Sequence, residues 1–156
     1  MFGPSLLVAP VFVPEGEETE YYLPAGRWTS FFHPERVVQG PAWVKEVVPI
    51  DDIPVWVRPN TILPLGPPGL GRPDYNLSEG LEVRLYEIDD GAKISADVPT
   101  GKGAEKAGSI SVQRTKGEVH VTTVGFSGVT SVTLFVDGKQ LVAQVEEGSS
   151  EVKLTL

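Results

Sequence analysis

The chain has 156 residues, of which 40 % are hydrophobic and 22 % charged, with a net charge of −8 at neutral pH and no cysteine. That is enough for one medium domain or two small ones, and too apolar for a disordered chain. The acidic balance argues against a nucleic-acid partner and an anionic membrane surface, and the lack of cysteine excludes disulfides, thiolate metal sites and thiol nucleophiles.

The chain opens on "MFGPSLLVAPVF", an apolar run broken by Gly3-Pro4. It has no basic n-region and carries Pro4 and Pro10, so it is no signal peptide. No apolar stretch reaches the ~20 residues of a membrane-spanning helix. The chain is therefore expected to be soluble, and its compartment, cytoplasmic or secreted, is left open. "SLLVAPVFV" predicts a buried, continuous strand, and "EGEETE" an exposed connection. "YYLPAGRWTSFF" predicts a strand, a Pro24-Ala25-Gly26 turn with Gly26 at positive φ, and a second strand. In "IPVWVRPNTILPLG", Pro54, Pro59 and Pro64 each remove a ladder donor, which places them at strand starts, edges or bends.

Residues 66 to 73, "GPPGLGRP", punctuate the chain most clearly. They predict a boundary, with a first domain over 1–66, a Pro/Gly linker over 67–72 and a second domain over 73–156. Beyond it, "GLEVRLYEIDDG" puts Leu81, Val83 and Leu85 on one face. "VPTGKGAEKAGS" reads as a polar, mobile loop. Ile110 and Val112 pair with Val119 and Val121 across a Thr-Lys-Gly turn. Val132, Leu134 and Val136 return through Asp137-Gly138 to Leu141, Ala143 and Val145, and an Asp-Gly pair favours a type I′ hairpin. Val152, Leu154 and Leu156 close the chain on one face. No stretch has the period of an amphipathic helix. The pattern predicts an all-β protein with two β-sandwich-like domains in tandem.

The chemistry-bearing residues are sparse. Glycoside hydrolysis needs two carboxylates across the scissile bond. The paired acids Asp51-Asp52, Asp89-Asp90 and Glu146-Glu147 all sit in turn-like sequence, where acids ordinarily serve the turn. His33 and His120 have no metal-ligand spacing; His33 precedes Pro34 in a loop, and His120 falls on a polar strand face. There is no G-x-S-x-G elbow, and "GPPGLG" fits neither glycine-rich phosphate template. Trp28, Trp43 and Trp56 all precede the linker. Core or interdomain packing is favoured for them over sugar stacking. Trp56, opposite in pleat to Val55 and Val57, is assigned to an outer face over a neighbouring domain.

Three of these motifs in order, "MFGPSLLVAPVF", "YYLPAGRWTSFF" and "IPVWVRPNTILPLGP", resemble the segment directly after the catalytic barrel in family 31 glycoside hydrolases, the α-glucosidases and α-xylosidases. "RPDY", Arg72 to Tyr75, followed by "EGLEVRLYEIDDG", resembles the start of the distal sandwich in the α-xylosidase branch. After about residue 95 the likeness is only to a generic sandwich. The resemblance implies a proximal and a distal β-domain belonging to a retaining α-glycosidase. The family's aspartate nucleophile and aspartate acid/base lie on the (β/α)8 barrel, which needs roughly 250 residues of its own. No carboxylate here matches either. The chain is thus expected to be a non-catalytic C-terminal piece that braces the barrel of its parent chain through residues 2 to 12 and exposed tryptophans. It carries no expected catalytic residue, cofactor or metal, and its bared apolar face invites self-association. The second reading is a carbohydrate-binding distal sandwich, which needs exposed aromatics among Tyr75, Tyr86, Phe126 and Phe135. The third, an enzyme in its own right, would rest on Asp51 or Asp89.

Overall fold

A computed structural model describes residues 1–67, 79–99, 106–126 and 128–156. Twelve strands and no helix are found among them, in three four-stranded sheets. The chain divides into two compact units, Met1–Pro59 with Asp137–Lys139, and Asn60–Val136 with Gln140–Leu156.

The first unit is built on one antiparallel sheet. It contains β1 (Leu6–Val8), β2 (Glu18–Ser30), β3 (Val37–Val47) and β4 (Val55–Val57), ordered β1-β4-β2-β3. Only three residues of the opening apolar run form strand. Pro10 has no ladder donor, and beyond it Phe12 is 89 % exposed. The Pro24-Ala25-Gly26 step is not a turn between two strands. β2 runs through it, and the one extra residue is absorbed as a bulge against β3 between Leu23 and Gly26. Gly26 takes the anticipated positive φ, 131°. The bulge turns the Pro24 carbonyl to the Trp28 indole, whose Nε1 donates to it at 2.8 Å. Gly40 sits opposite. A Cβ there would lie 1.9 Å from the Pro24 carbonyl oxygen, so only glycine lets the two backbones approach this closely.

Leu23, Trp28 and Trp56 form the core of this unit, with Leu7, Tyr21, Val38 and Val44 packed against them. Trp56 is 1 % exposed, not on an outer face. Pleat alternation gives its side relative to Val55 and Val57, but all three residues of β4 are buried, because this short inner strand is covered on both faces.

The second unit is a β-sandwich. One sheet, ordered β11-β10-β6-β5, contains β5 (Thr61–Leu65), β6 (Leu81–Tyr86), β10 (Val129–Val136) and β11 (Lys139–Gln144). β10 and β6 run parallel in it. The other, ordered β12-β9-β8-β7, is antiparallel and contains β7 (Lys93–Pro99), β8 (Lys106–Thr115), β9 (Glu118–Val124) and β12 (Glu151–Thr155). The anticipated inward residues Leu81, Val83, Leu85, Ile110, Val119 and Val132 are all fully buried in one cluster. Asp137 and Gly138 have φ of 52° and 70°, both left-handed as a type I′ turn requires. Leu156 departs from the pattern. It lies past the end of β12 and is 43 % exposed.

Thr61–Leu65, assigned from sequence to the first domain, pairs along its length with β6 of the second unit. Pro64 lies on β5, an edge strand, as its missing donor demands. Of the anticipated 67–72 linker only Pro67 falls within the described residues, and "RPDY" lies outside them, as do residues 100–105 of the polar loop.

Candidate functional site: an apolar face on the first unit

Asp52, Asp89 and Asp90 are engaged in turn and loop contacts. Asp52 accepts from the Ile53 amide at 2.7 Å and contacts His33 Nε2 at 3.1 Å. Asp89 accepts from the Asn60 side-chain amide at 2.6 Å and donates its own backbone N–H to Asn60 Oδ1 at 2.8 Å. Asp90 accepts from the Lys116 amide at 2.8 Å, which holds the β8–β9 turn. Glu146 and Glu147 are exposed beside Gly148, where the Glu146 carbonyl accepts from Ser149 N at 2.9 Å. Among the described residues no three His, Asp or Glu gather as a metal site would require. His120 contacts Glu118 at 3.3 Å on the outer face of the second sandwich sheet.

The described aromatics proposed for a distal sugar platform are buried or partly buried. Tyr86 and Phe135 are buried and stacked on each other with centroids 4.8 Å apart, and Phe126 packs against the core. Tyr75 lies outside the described residues. A concavity of the second unit, about 490 Å³, is lined by Lys93, Ser111, Val112, Gln113, Thr115, His120 and Thr122, with no Trp, Tyr or Phe among them.

The first unit is different. Met1, Phe2, Phe12, Phe32, Ile50 and Ile53 are all exposed. Segments 10–15 and 48–53 enclose a groove of about 350 Å³ walled by Pro10, Val11, Val13, Val48, Ile50 and Ile53. Beside it Phe32, Pro49 and Ile53 form an open shelf. The loop carrying Ile50 and Ile53 is fastened by the His33–Asp52 contact, by the Asp52 amide donating to the Pro49 carbonyl at 3.0 Å, and by the His33 amide donating to Ser30 Oγ at 3.2 Å. Those contacts hold apolar side chains outward at fixed positions. Scattered exposed apolar residues are ordinary, but a contiguous set such as the one along segments 10–15 and 48–53 with Phe32 is the mark of an interaction surface.

Behind this face lies a polar network that sequence reading missed. Tyr21 Oη donates to Glu46, Trp56 Nε1 donates to Tyr21 Oη at 3.0 Å, and Arg36 reaches Glu46 at 2.6 Å. The Arg36 guanidinium also lies over the Trp56 ring, 5.4 Å from its centroid. The four residues come from three strands and a loop, so no local spacing reveals them. Burial, and next the Glu46 carboxylate, push the Tyr21 phenol above its ordinary range. The folded protein therefore resists ionising a group that the unfolded chain gives up near pH ~10. Stability from this group is intact below that pH and falls as pH rises beyond it. The expected slope is up to about 1.4 kcal/mol per pH unit. Urea titrations between pH 9 and 11 are expected to show the wild type losing stability more steeply than Tyr21→Phe. Equal slopes would contradict this assignment.

Known proteins place these units. The model of the glycosyl hydrolase family 31 C-terminal domain matches residues 1–63, and that of the C-terminal domain of α-xylosidase YicI matches residues 76–156. The chain belongs to glycoside hydrolase family 31, to its C-terminal β-domains. It is 34 % identical to the α-xylosidase XylQ of Lactiplantibacillus pentosus over 157 aligned residues, covering 99 % of this chain and 20 % of that protein. It is 34 % identical over 130 residues to an α-xylosidase of Emericella nidulans, covering 78 % of this chain and 16 % of that one. The family 31 α-xylosidase of Xanthomonas citri shares its fold with a TM-score of 0.64 at 24 % identity, covering 100 % of this chain and 19 % of that structure. The chain thus spans about a fifth of the length of these relatives. The first family match ends at residue 63, within β5, and the second begins at residue 76, ahead of β6.

Proposed function

We propose that this chain is the non-catalytic C-terminal support region of an α-glycosidase of the α-xylosidase type, and that its first unit braces the catalytic (β/α)8 barrel. The observation that carries this reading is the apolar groove and shelf lined by Val11, Val13, Phe32, Ile50 and Ile53, with Phe2 and Phe12 of the same unit also exposed. Obligate interdomain surfaces are large and apolar and resemble a core cut in half. Two further observations support it. The relatives are α-xylosidases about five times longer than the chain, and Asp52, Asp89 and Asp90 are each engaged in turn or loop hydrogen bonds. The barrel would supply both catalytic carboxylates, and the support region would fix the frame on which its loops are held.

The test is an assay of an aryl α-xyloside with the purified chain, with the catalytic segment encoded upstream, and with the two recombined. The chain alone is expected to give no turnover, and recombination is expected to raise the activity or thermal survival of the catalytic segment. Turnover by the chain alone, lost in Asp51→Asn or Asp89→Asn, would overturn the reading.

A further inference from the structure

A second exposed surface of the first unit differs in chemistry from the apolar face. On the β2–β3 hairpin, Tyr22 and Trp43 are direct cross-strand partners on the solvent side. Tyr22 is 45 % and Trp43 67 % exposed. Their ring centroids are 5.4 Å apart and their planes are inclined by 55°, so the pair forms an open aromatic V. The next cross-strand pair on the same face is Glu20 with Lys45, joined at 3.5 Å and largely exposed. The alternation is strict. Tyr21, Leu23, Val44 and Glu46 turn to the other side, where they are partly or fully buried.

We infer that Tyr22 and Trp43 form a surface subsite for a neutral pyranose oligosaccharide, with Glu20 and Lys45 as its hydrogen-bonding rim. This goes beyond bracing and does not depend on it. The residue types separate the two surfaces. The bracing face is mainly Phe, Ile, Val and Pro, with Glu15, His33, Asp51 and Asp52 along its loops. The hairpin face sets two amphipathic rings beside a carboxylate and an ammonium. Buried protein interfaces are depleted of Lys and Glu at their centres, so an ion pair adjoining the rings argues against a dry protein contact. A pyranose has the complementary character. Its C–H face lies on an indole or phenol ring, and its equatorial hydroxyls donate to a carboxylate and accept from an ammonium. Neighbouring positions on one strand face are ~7 Å apart, so a sugar ring on Trp43 brings its substituents within reach of the rim. Two rings and two polar groups on an open surface make a weak site, with a Kd on the order of a millimolar.

The experiment is saturation-transfer NMR on the 156-residue chain with maltotetraose and with xylotetraose, each at about 10 mM, a concentration above that Kd. Transfer strongest to the ring C–H protons of either sugar is expected. Trp43→Ala and Tyr22→Ala are each expected to weaken binding at least about tenfold, and Lys45→Ala to weaken it less. Phe12→Ser is expected to bind as the wild type does. Far-ultraviolet circular dichroism checks that each variant is folded. If Trp43→Ala misfolds, Tyr22→Ala carries the test. Absence of transfer to both sugars, binding that survives in the folded aromatic variants, or equal loss in Phe12→Ser would each overturn the assignment.

Discussion

Trp56→Ala is expected to lower the stability of the first unit by about 3–5 kcal/mol, while Trp43→Ala costs about 0.5 kcal/mol or less. The difference follows from where each ring sits. Trp56 is 1 % exposed within a core of three fully buried large residues, and few side chains are available to collapse into its space. Its removal also leaves the Tyr21 phenol without the indole donor and the Arg36 guanidinium without the ring beneath it. A domain of this size has total stability on the order of 5–15 kcal/mol, so the variant should sit close to unfolding. Trp43 is exposed on a hairpin face and holds no buried neighbour in place. Urea titration followed by near-ultraviolet circular dichroism measures both. Equal losses in the two variants would contradict the packing described.

The second large effect concerns association. The double variant Phe12→Ser, Ile50→Ser is expected to weaken self-association of the chain by at least tenfold and to leave its stability within about 0.5 kcal/mol. Phe12 and Ile50 are 89 % and 81 % exposed, so nothing in the fold relies on them. Burying a large apolar side chain in a contact contributes about 1.5–3 kcal/mol, and two such losses exceed the 1.4 kcal/mol of a tenfold change. Sedimentation velocity over a concentration series reads this directly. The wild type is expected to move above its 16.8 kDa monomer mass as concentration rises, and the variant to stay at it. A wild type that stays monomeric at all concentrations would show that the face is not adhesive.

The second unit was legible where its strands have one buried and one wet face, so that period-2 alternation in Leu81–Leu85 and Glu118–Thr122 reports orientation directly. β10 departs from that rule, since Thr133 and Phe135 are buried as well as Val132 and Leu134. The parallel pairing of β10 with β6 was not legible, since it joins segments far apart in sequence. The first unit resisted for two reasons. Its inner strand β4 is covered on both faces, which erases the alternation that would place Trp56. The Pro-Ala-Gly step has turn chemistry, yet β2 absorbs it as a bulge, because the Pro24 carbonyl meets both the Trp28 indole and the gap left at Gly40. The apolar opening segment was readable as a surface that belongs against something, and Phe12 and Phe2 do stand exposed. The loop of Pro49–Ile53 that completes that surface was not, since it reaches segment 10–15 only through the fold.

Hydrogen–deuterium exchange of the chain, alone and co-expressed with the catalytic segment encoded upstream, tests the bracing account most directly. Slower exchange is predicted in residues 2–12 and 48–53 of the assembled protein, lost again in the Phe12→Ser, Ile50→Ser variant. Unchanged exchange in both segments, in an assembly that nevertheless forms, would contradict the claim that this face holds the barrel.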